Sequence, residues 1–345
     1  MKKEILSEKI HHIDITKFDA TPIIEAYERM AFQARNLARA SKIADEMLKD
    51  EDTTVILCLA GSLFSAGLKK VVHHMVRYNM VDVIVSNGAI IVDQDFFEAL
   101  GFSHYKGSPY ADDHKLMELM IDRIYDTYID EEELRACDST VKGIADNLSP
   151  GPYSSREFIK EMGKYLYDKS FGKNDSVVLE AYLKDLPIFV PAFSDSSAGF
   201  GLVMHQWERE KEGKQSVSID SAKDFLELTK IKLNSKNTGL IMIGGGVPKN
   251  FAQDITIAAD LVGGGIHMHK YAIQITVADE RDGALSGSTL KEAHSWGKVD
   301  EGKEQMVFAE ATLVFPLLVS YLYHKGSWKK RKAKRLNKLL DEGET

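Results

Sequence analysis

Cysteine is scarce in this sequence, and long apolar stretches are missing. The 345 residues include two cysteines, Cys58 and Cys137, which are too few for the disulfide framework of a small secreted protein. No hydrophobic run approaches the roughly 20 residues that a membrane-spanning helix needs, and no signal peptide opens the chain. We therefore expect a cytoplasmic protein that does not interact with membranes.

Several familiar catalytic and binding motifs are also missing. The histidines at positions 11–12, 73–74 and 267–269 lack the spacing of a zinc motif such as HExxH, so we expect no metal site. The sequence has no GxSxG elbow for a serine nucleophile. It also has no complete P-loop around Lys249 and no GxGxxG. A net charge of −8 disfavours wholesale nucleic-acid binding.

Apolar runs that alternate with helical patterns are the main signal that is present. Such runs occupy residues 55–60, 81–85, 187–191, 239–243, 271–276 and 307–311, and most of them end in small or polar residues. Continuous apolar runs of this length are typical of parallel strands that are covered on both faces. The pattern predicts an α/β fold with about six parallel strands and helices on both faces. Ligands bind such sheets at the carboxyl ends of the strands.

The same pattern suggests how the chain is divided. We predict an N-terminal arm over residues 1–20, a single α/β domain over 21–326 and a basic tail over 327–345. Helices are predicted over residues 21–48, 68–78, 113–132 and 313–323, and two more begin at Ser154 and Asp220. Seven lysines and arginines make the tail basic. For this tail a solvated helix with a narrow apolar stripe is favoured over a surface for acidic partners.

The stretch from Glu292 to Lys298 carries the candidate chemistry. A lysine attacks carbon only when its surroundings lower its pKa, and the indole of Trp296 would supply a dry wall beside Lys298. Glu292 would hold a cationic substrate nearby. The alternative is that Lys298 is an ordinary solvated lysine that follows a glycine turn.

Carboxylates recur near the predicted strand ends. A group of acids suits a cationic substrate such as a polyamine, and small-residue turns at helix N-termini suit the pyrophosphate of a dinucleotide. A lysine among them suits an imine intermediate. The acids in question are Asp93, Asp195, Asp282, Glu292 and Glu310.

Two sequence blocks resemble the C-terminal signature of the deoxyhypusine synthase family. They are Ser-Trp-Gly-Lys at 295–298 and Ala-Glu-Ala-Thr-Leu-Val-Phe-Pro-Leu-Leu-Val at 309–319. Further matches lie at residues 32–34, 79–83, 194–195, 243–246 and 282–287. The resemblance implies a Rossmann-like fold, NAD as cofactor, and a homotetramer with active sites at the subunit interfaces.

The resemblance also implies a reaction and a set of residue roles. In the family, NAD takes a hydride from spermidine, a lysine captures the oxidised amine as an imine, and diaminopropane leaves. The aminobutyl group then passes to an acceptor amine, and NADH reduces the product imine. Lys298 matches the imine-forming lysine, Glu292 the amine-binding acid and Trp296 the stacking indole. Further substrate-binding candidates are Gly283, Asp93, Gln94 and Asn250, and the cofactor-binding candidates are Ser62, Ser65, Ser86, Asn87, Gly88, Asp195, Ala278, Glu310 and Ala311.

The amine site departs from the family pattern. Residues 86–89 read Ser-Asn-Gly-Ala where Thr-Ala-Gly-Gly is usual, and Asp93-Gln94 replaces a pair of glutamates. Phe200 stands in place of an aspartate and Asn250 in place of a histidine, which changes the charge and the proton-transfer options of the site.

Three functions therefore stay open. The acceptor is either a lysine of the hypusine-bearing translation factor or a free diamine such as putrescine, which would give homospermidine. The third possibility is a non-catalytic NAD-binding protein. The intact acid, indole and lysine argue against this last reading.

Overall fold

A parallel six-stranded sheet forms the centre of the molecule. The computed structural model describes residues 1–172, 175–265 and 267–342. Every neighbouring pair of strands in this sheet is parallel, which confirms the predicted α/β class. In spatial order the strands are β11 (Glu304–Phe308), β10 (Tyr271–Thr276), β9 (Asn237–Ile243), β1 (Thr53–Leu59), β2 (Val83–Ser86) and β7 (Ile188–Phe189).

The order in which strands are added to the sheet reverses at β1. From β1 the chain builds β2 and β7 on one side, and it then returns to build β9, β10 and β11 on the other side. In open α/β sheets, ligands bind in the crevice outside the carboxyl ends of the strands at such a reversal. The crevice between the ends of β1 and β9 is therefore the expected ligand site of this fold.

Helices and two small sheets surround the central sheet. β3 (Tyr105–Lys106), β5 (Thr127–Asp130) and β4 (Ile121–Ile124) form an antiparallel sheet, and β6 (Gly151–Tyr153) pairs with β8 (Val217–Ile219). The helices are α1 (Lys2–Ile5), α2 (Thr21–Tyr27), α3 (Phe32–Lys49), α4 (Lys69–Arg77), α5 (Phe97–Ala99), α6 (Asp113–Glu118), α7 (Glu131–Asp146), α8 (Ser155–Asp168), α9 (Val177–Leu183), α10 (Ser197–Lys211), α11 (Ser221–Leu233), α12 (Gly246–Leu261), α13 (Leu290–Ser295), α14 (Ala311–Lys325) and α15 (Leu336–Glu342). Short π-helical turns at Phe64–Leu68 and Ala89–Phe96 and a 3-10 turn at Ser327–Lys330 complete the set.

The two faces of the sheet have separate apolar cores, as the prediction of helices on both faces requires. Side chains alternate along a strand, and Val55 and Leu57 of β1 belong to one core whereas Ile56 and Cys58 belong to the other. Helices α3, α4 and α14 contribute to the first core. Helices α11, α12, α13 and α15 contribute to the second.

Two predicted helices are wrong in extent. The predicted helix over 113–132 is the short α6 followed by the β4–β5 hairpin, and positive φ values at Met120 (55°) and Tyr125 (51°) mark the two turns. The predicted helix over 21–48 divides into α2 and α3 because Phe32 has a φ of 54°, which a continuous helix does not allow. The residue that precedes α2 as its cap is Ala20, not Thr21.

Other predicted helix starts are confirmed. Ser154 forms a capping box with Glu157 at the start of α8, and Asp220 accepts hydrogen bonds from the amides of Ala222 and Lys223 at the start of α11. Such caps satisfy amide groups that would otherwise lack partners.

The two ends of the chain lie against the domain. In the N-terminal segment Ile15 is fully buried. In the basic segment the Arg331 guanidinium is buried and pairs with the Asp82 carboxylate at 2.5 Å, so this residue is not part of a solvated face. Leu336 and Leu340 of α15 pack into the second core. Residues 343–345 of the predicted tail lie outside the described residues, and the division into arm, domain and tail stays a prediction.

The longest helix in the described part of the chain is α3, with 18 residues. None of the helices there is both long and apolar enough to cross a membrane.

Candidate active site

A short helix and a glycine turn place Lys298. Thr289 caps helix α13, and its hydroxyl accepts a hydrogen bond from the Glu292 amide at 3.0 Å. The helix ends before Gly297, whose φ of 71° reverses the chain and suits glycine because it has no Cβ. The Lys298 amide then donates to the Ala293 carbonyl at 3.0 Å. This turn directs the lysine side chain into a pocket.

The pocket around Lys298 has a volume of about 550 Å³. Five predicted catalytic or substrate-binding residues line it, so the structure brings this part of the predicted site together. Its lining residues are Phe225, Asn250, Gln253, Asp254, Ile257, Ala258, Leu261, Gly283, Leu285, Ser288, Glu292, Ala293, Trp296 and Lys298.

The Lys298 ammonium has three neighbours. Its Nζ lies 2.6 Å from Asp254 Oδ1 and donates to Asn250 Oδ1 at 3.3 Å. It also lies 5.2 Å from the centre of the Trp296 ring, a distance at which the ring face attracts a cation. The side chain of Lys298 is only 12% exposed, so the alternative of an ordinary solvated lysine is wrong.

The sequence interpretation did not include Asp254. This residue lies one helical turn after Asn250 on α12, and the Asn250 amide donates to Asp254 Oδ2 at 2.8 Å. Residues four apart share a helix face, so the spacing from Asn250 was the available signal.

The wall that α12 contributes changes from polar to apolar along its length. Asn250 and Asp254 lie at the lysine end, and Ile257, Ala258 and Leu261 follow toward the C-terminus of the helix. Glu292 adds a further carboxylate to the lining. The pocket can therefore hold a cationic group near Lys298 and a hydrocarbon chain beside it.

A second lysine, for which the sequence indicates no role once a P-loop is excluded, lies behind the pocket. Lys249 is 1% exposed, and burial lowers the pKa of its amine to about 8. Its Nζ donates to the Leu285 carbonyl at 3.0 Å and to both the hydroxyl and the carbonyl of Ser288. The lysine therefore anchors the loop over residues 283–288 to α12.

A second pocket of about 480 Å³ lies where β1 and β9 end, at the reversal point of the sheet. The predicted cofactor-binding residues Ser62, Ala278, Glu310 and Ala311 line it. Glu310 also caps α14 by accepting a hydrogen bond from the Leu313 amide at 3.3 Å.

Gly245, which lines this second pocket, lies close to the loop over residues 283–288. A Cβ at Gly245 would lie 2.4 Å from Ser286 Cα, so only glycine fits there. Ser286 lines the second pocket, whereas Gly283, Leu285 and Ser288 line the first. The two pockets thus share this loop as a wall.

Other predicted cofactor-binding residues support the turns beside the second pocket. The Asn87 amide donates to the Gly61 carbonyl at 2.9 Å, and Ser65 Oγ donates to the Ser62 carbonyl at 2.8 Å. Ser86 is fully buried at the end of β2. A Cβ at Gly88 would lie 2.5 Å from the Ser196 side chain. Their roles toward a cofactor stay predictions.

Asp93, Gln94 and Asp195 do not line the pocket around Lys298. Gln94 is 1% exposed, and its Oε1 accepts hydrogen bonds from the amides of Phe64 and Ser65 at 2.9 and 3.0 Å. Asp93 accepts from the Ser197 amide at 2.7 Å, and burial raises its pKa to about 7. Asp195 is exposed. The predicted substrate role of Asp93 and Gln94 and the cofactor role of Asp195 stay predictions.

Within residues 1–172, 175–265 and 267–342, no group of three or more His, Cys, Asp or Glu side chains is arranged to hold a metal ion.

Comparison of the sequence with known proteins identifies the family. The family model described as deoxyhypusine synthase matches residues 22–322. A "Deoxyhypusine synthase-like protein" of Chlorobaculum tepidum is 63% identical over 341 residues, which cover 99% of this chain and 96% of the relative. A "Probable deoxyhypusine synthase 2" of Methanosarcina mazei is 40% identical over 322 residues, which cover 93% of this chain and 91% of the relative.

Comparison with solved structures concerns the fold alone. A crystal structure of a protein from Entamoeba histolytica, provisionally described as a deoxyhypusine synthase, has a TM-score of 0.59 at 20% identity. It covers 91% of this chain and 97% of its own. The sequence matches and this shared fold lead to one conclusion: the chain belongs to the deoxyhypusine synthase family.

Proposed function

We propose that the protein is an NAD-dependent transferase that moves an aminobutyl group, or a related aminoalkyl group, from spermidine or a similar polyamine to an acceptor amine. The group is carried as an imine on Lys298. One observation supports this proposal above the others: a largely buried Lys298 amine lies between Asp254 and the Trp296 ring, in a pocket that shares a wall with the crevice at the sheet reversal. Membership of the family gives the reaction class.

The crevice has groups that suit NAD. The turn over residues 61–63 and Gly244–Gly245 bring backbone close to the crevice, as a pyrophosphate requires. The Ser62 hydroxyl and the Glu310 carboxylate line the same space and suit the ribose hydroxyls. When bound, NAD would accept a hydride on oxidation of the amine substrate and would return it to the imine of the product.

The residues of the lysine pocket would carry out the transfer. Glu292 and Asp254 hold ammonium groups of the amine by charge, and Trp296 packs against its methylene chain and attracts its cation. The neutral Lys298 amine attacks the carbon of the oxidised C=N bond, and the smaller amine leaves with a proton. The acceptor amine then attacks the same carbon and displaces the neutral Lys298 amine, which leaves the aminobutyl group joined to the acceptor as an imine.

Exposed apolar side chains on α10 support self-association of the chain, and the family suggests a homotetramer. Phe200, Val203 and Trp207 are 64%, 64% and 59% exposed and follow the spacing of one helix face. We propose that other copies of the chain cover this face. Light scattering should give a mass of four chains for the natural protein and a smaller mass for Trp207→Glu. A monomer at micromolar concentration would contradict this assembly.

The nature of the acceptor follows from a product assay. The protein is incubated with NAD and spermidine labelled in its aminobutyl carbons, with either putrescine or a hypusine-type translation factor as acceptor. Label in homospermidine would identify a free diamine as the acceptor, and label on the protein would identify a lysine. No transfer to either acceptor, in a protein that binds NAD, would contradict the proposed transferase and favour the non-catalytic alternative.

A further inference from the structure

The ion pair between Lys298 and Asp254 involves Lys298 Nζ, the atom that must attack carbon in the proposed reaction. Lys298 Nζ lies 2.6 Å from Asp254 Oδ1, and the two side chains are 12% and 32% exposed. An ammonium that donates to a carboxylate has no lone pair with which to attack carbon. The nucleophile is therefore bound at a site that recognises primary ammonium groups.

The surroundings of Asp254 define this ammonium site further. Asn250 presents its Oδ1 to Lys298 and its amide nitrogen to Asp254 Oδ2 at 2.8 Å. Both residues belong to α12, so their relative position is fixed by the helix. The next lining residues of this helix, Ile257 and Ala258, are apolar, and they suit the methylene groups of an alkylamine rather than a second charge.

We infer that Asp254 is an exchange site: in the empty pocket it binds the Lys298 ammonium, and on substrate binding it binds the ammonium of a primary aliphatic di- or polyamine instead. Lys298 then gives one proton to solvent, so the charge at Asp254 stays balanced by the incoming cation. This inference rests on the proposed function, and it makes Asp254 both a substrate-binding residue and a positioning residue for Lys298.

A chemical labelling experiment tests the first half of the exchange without cofactor or substrate. Reductive methylation with formaldehyde and borohydride is followed at Lys298 by peptide mass spectrometry between pH 6 and 9. Asp254→Asn should label about tenfold faster than the natural protein at pH 7, because loss of the charge partner frees the amine. Asp254→Glu should restore slow labelling. Asp260→Asn, an exposed change on the same helix, should label like the natural protein.

Steady-state kinetics tests the second half. With NAD present, Asp254→Asn should raise the KM for spermidine by about tenfold or more, since a hydrogen-bonded charge partner of the substrate is lost, and Asp254→Glu should recover part of it. An unchanged rate of Lys298 labelling in Asp254→Asn would overturn the inference. Faster labelling of Lys298 together with an unchanged KM for spermidine would also overturn it. If the natural protein shows no amine-dependent activity, the proposed transferase fails. The labelling result then still decides whether Asp254 holds Lys298.

Discussion

The Lys249 ammonium donates to the Ser288 hydroxyl at 3.0 Å and so joins helix α12 to the wall between the two pockets. Only 1% of the surface of this lysine is exposed to solvent. It is held by three oxygen acceptors, so its polar end is satisfied in the folded protein.

Lys249 should make the free energy of unfolding depend on pH in the alkaline range. Burial lowers its pKa to about 8 in the folded protein, whereas an unfolded lysine stays protonated to about pH 10.4. Between these values the unfolded chain binds more protons, so the free energy of unfolding should rise with pH. The rise is at most about 3 kcal/mol for a shift of this size.

Urea unfolding at pH 7.5 and 9.5 measures this effect. Burial also lowers the pKa of Lys232 to about 8, so Lys249→Met should lose about half of the rise that the natural protein shows. Lys291→Met, a change at an exposed lysine, should keep the full rise. An equal rise in all three proteins would contradict the assignment to Lys249.

Asp93 should have the opposite effect to Lys249 and should make the free energy of unfolding fall as the pH rises from about 4 to 7. Burial raises its pKa to about 7, so between about pH 4 and 7 the folded protein keeps a proton that the unfolded chain loses. The free energy of unfolding should therefore fall as pH rises through this window. Asp93→Asn should remove about 2 kcal/mol of that fall, measured by urea unfolding at pH 5 and 8. Asp260→Asn, a change at an exposed acid, serves as control and should behave like the natural protein.

The buried pair between Arg331 and Asp82 should be important for stability. The Asp82 carboxylate also accepts a hydrogen bond from the Val55 amide at 2.9 Å, and both side chains of the pair are nearly inaccessible. Removing one partner leaves an uncompensated buried charge, which costs about 3–5 kcal/mol. Arg331→Ala should lose stability of this order in chemical denaturation, and Lys330→Ala at the exposed neighbouring position should change it by less than about 0.5 kcal/mol. A loss below about 1 kcal/mol for Arg331→Ala would show that the pair is dispensable.

Glu310 should contribute to NAD affinity. Its carboxylate lines the crevice at the sheet reversal, and hydrogen bonds to a charged group contribute about 1.5–3 kcal/mol. Glu310→Gln should therefore weaken NAD binding by about tenfold or more in calorimetric titration. Glu301→Gln, which changes an exposed acid, should bind NAD like the natural protein. Equal NAD affinity in the two variants would contradict a contact between Glu310 and the ribose of NAD.

Much of the central fold was predictable because its signals are local. Runs such as residues 55–60 are short and apolar throughout, which is typical of a strand that is covered on both faces. The β4–β5 hairpin was missed because its isoleucines follow α6 without a glycine or proline, and the turns use Met120 and Tyr125 in a conformation that is rare for such residues.

The candidate site was predictable only in part. Glu292, Trp296 and Lys298 lie within one short stretch, so their proximity followed from the sequence. The contact of Lys298 with Asp254 depends on how α12 is rotated against α13, and the spacing of Asp254 from Asn250 does not determine this rotation. Gln94 was a substrate candidate by its position, yet its carbonyl oxygen is used by the backbone of Phe64 and Ser65. Tertiary packing decides such cases.

Reductive trapping tests the central claim most directly. The protein is incubated with NAD and spermidine, treated with borohydride and measured by intact mass, beside Lys298→Ala and the control Lys291→Ala. We expect an added aminobutyl group on the natural protein and on Lys291→Ala, located at Lys298 by peptide mapping, and no addition on Lys298→Ala. An equal adduct on Lys298→Ala, or no adduct with any polyamine while NAD binds, would contradict the Lys298 imine.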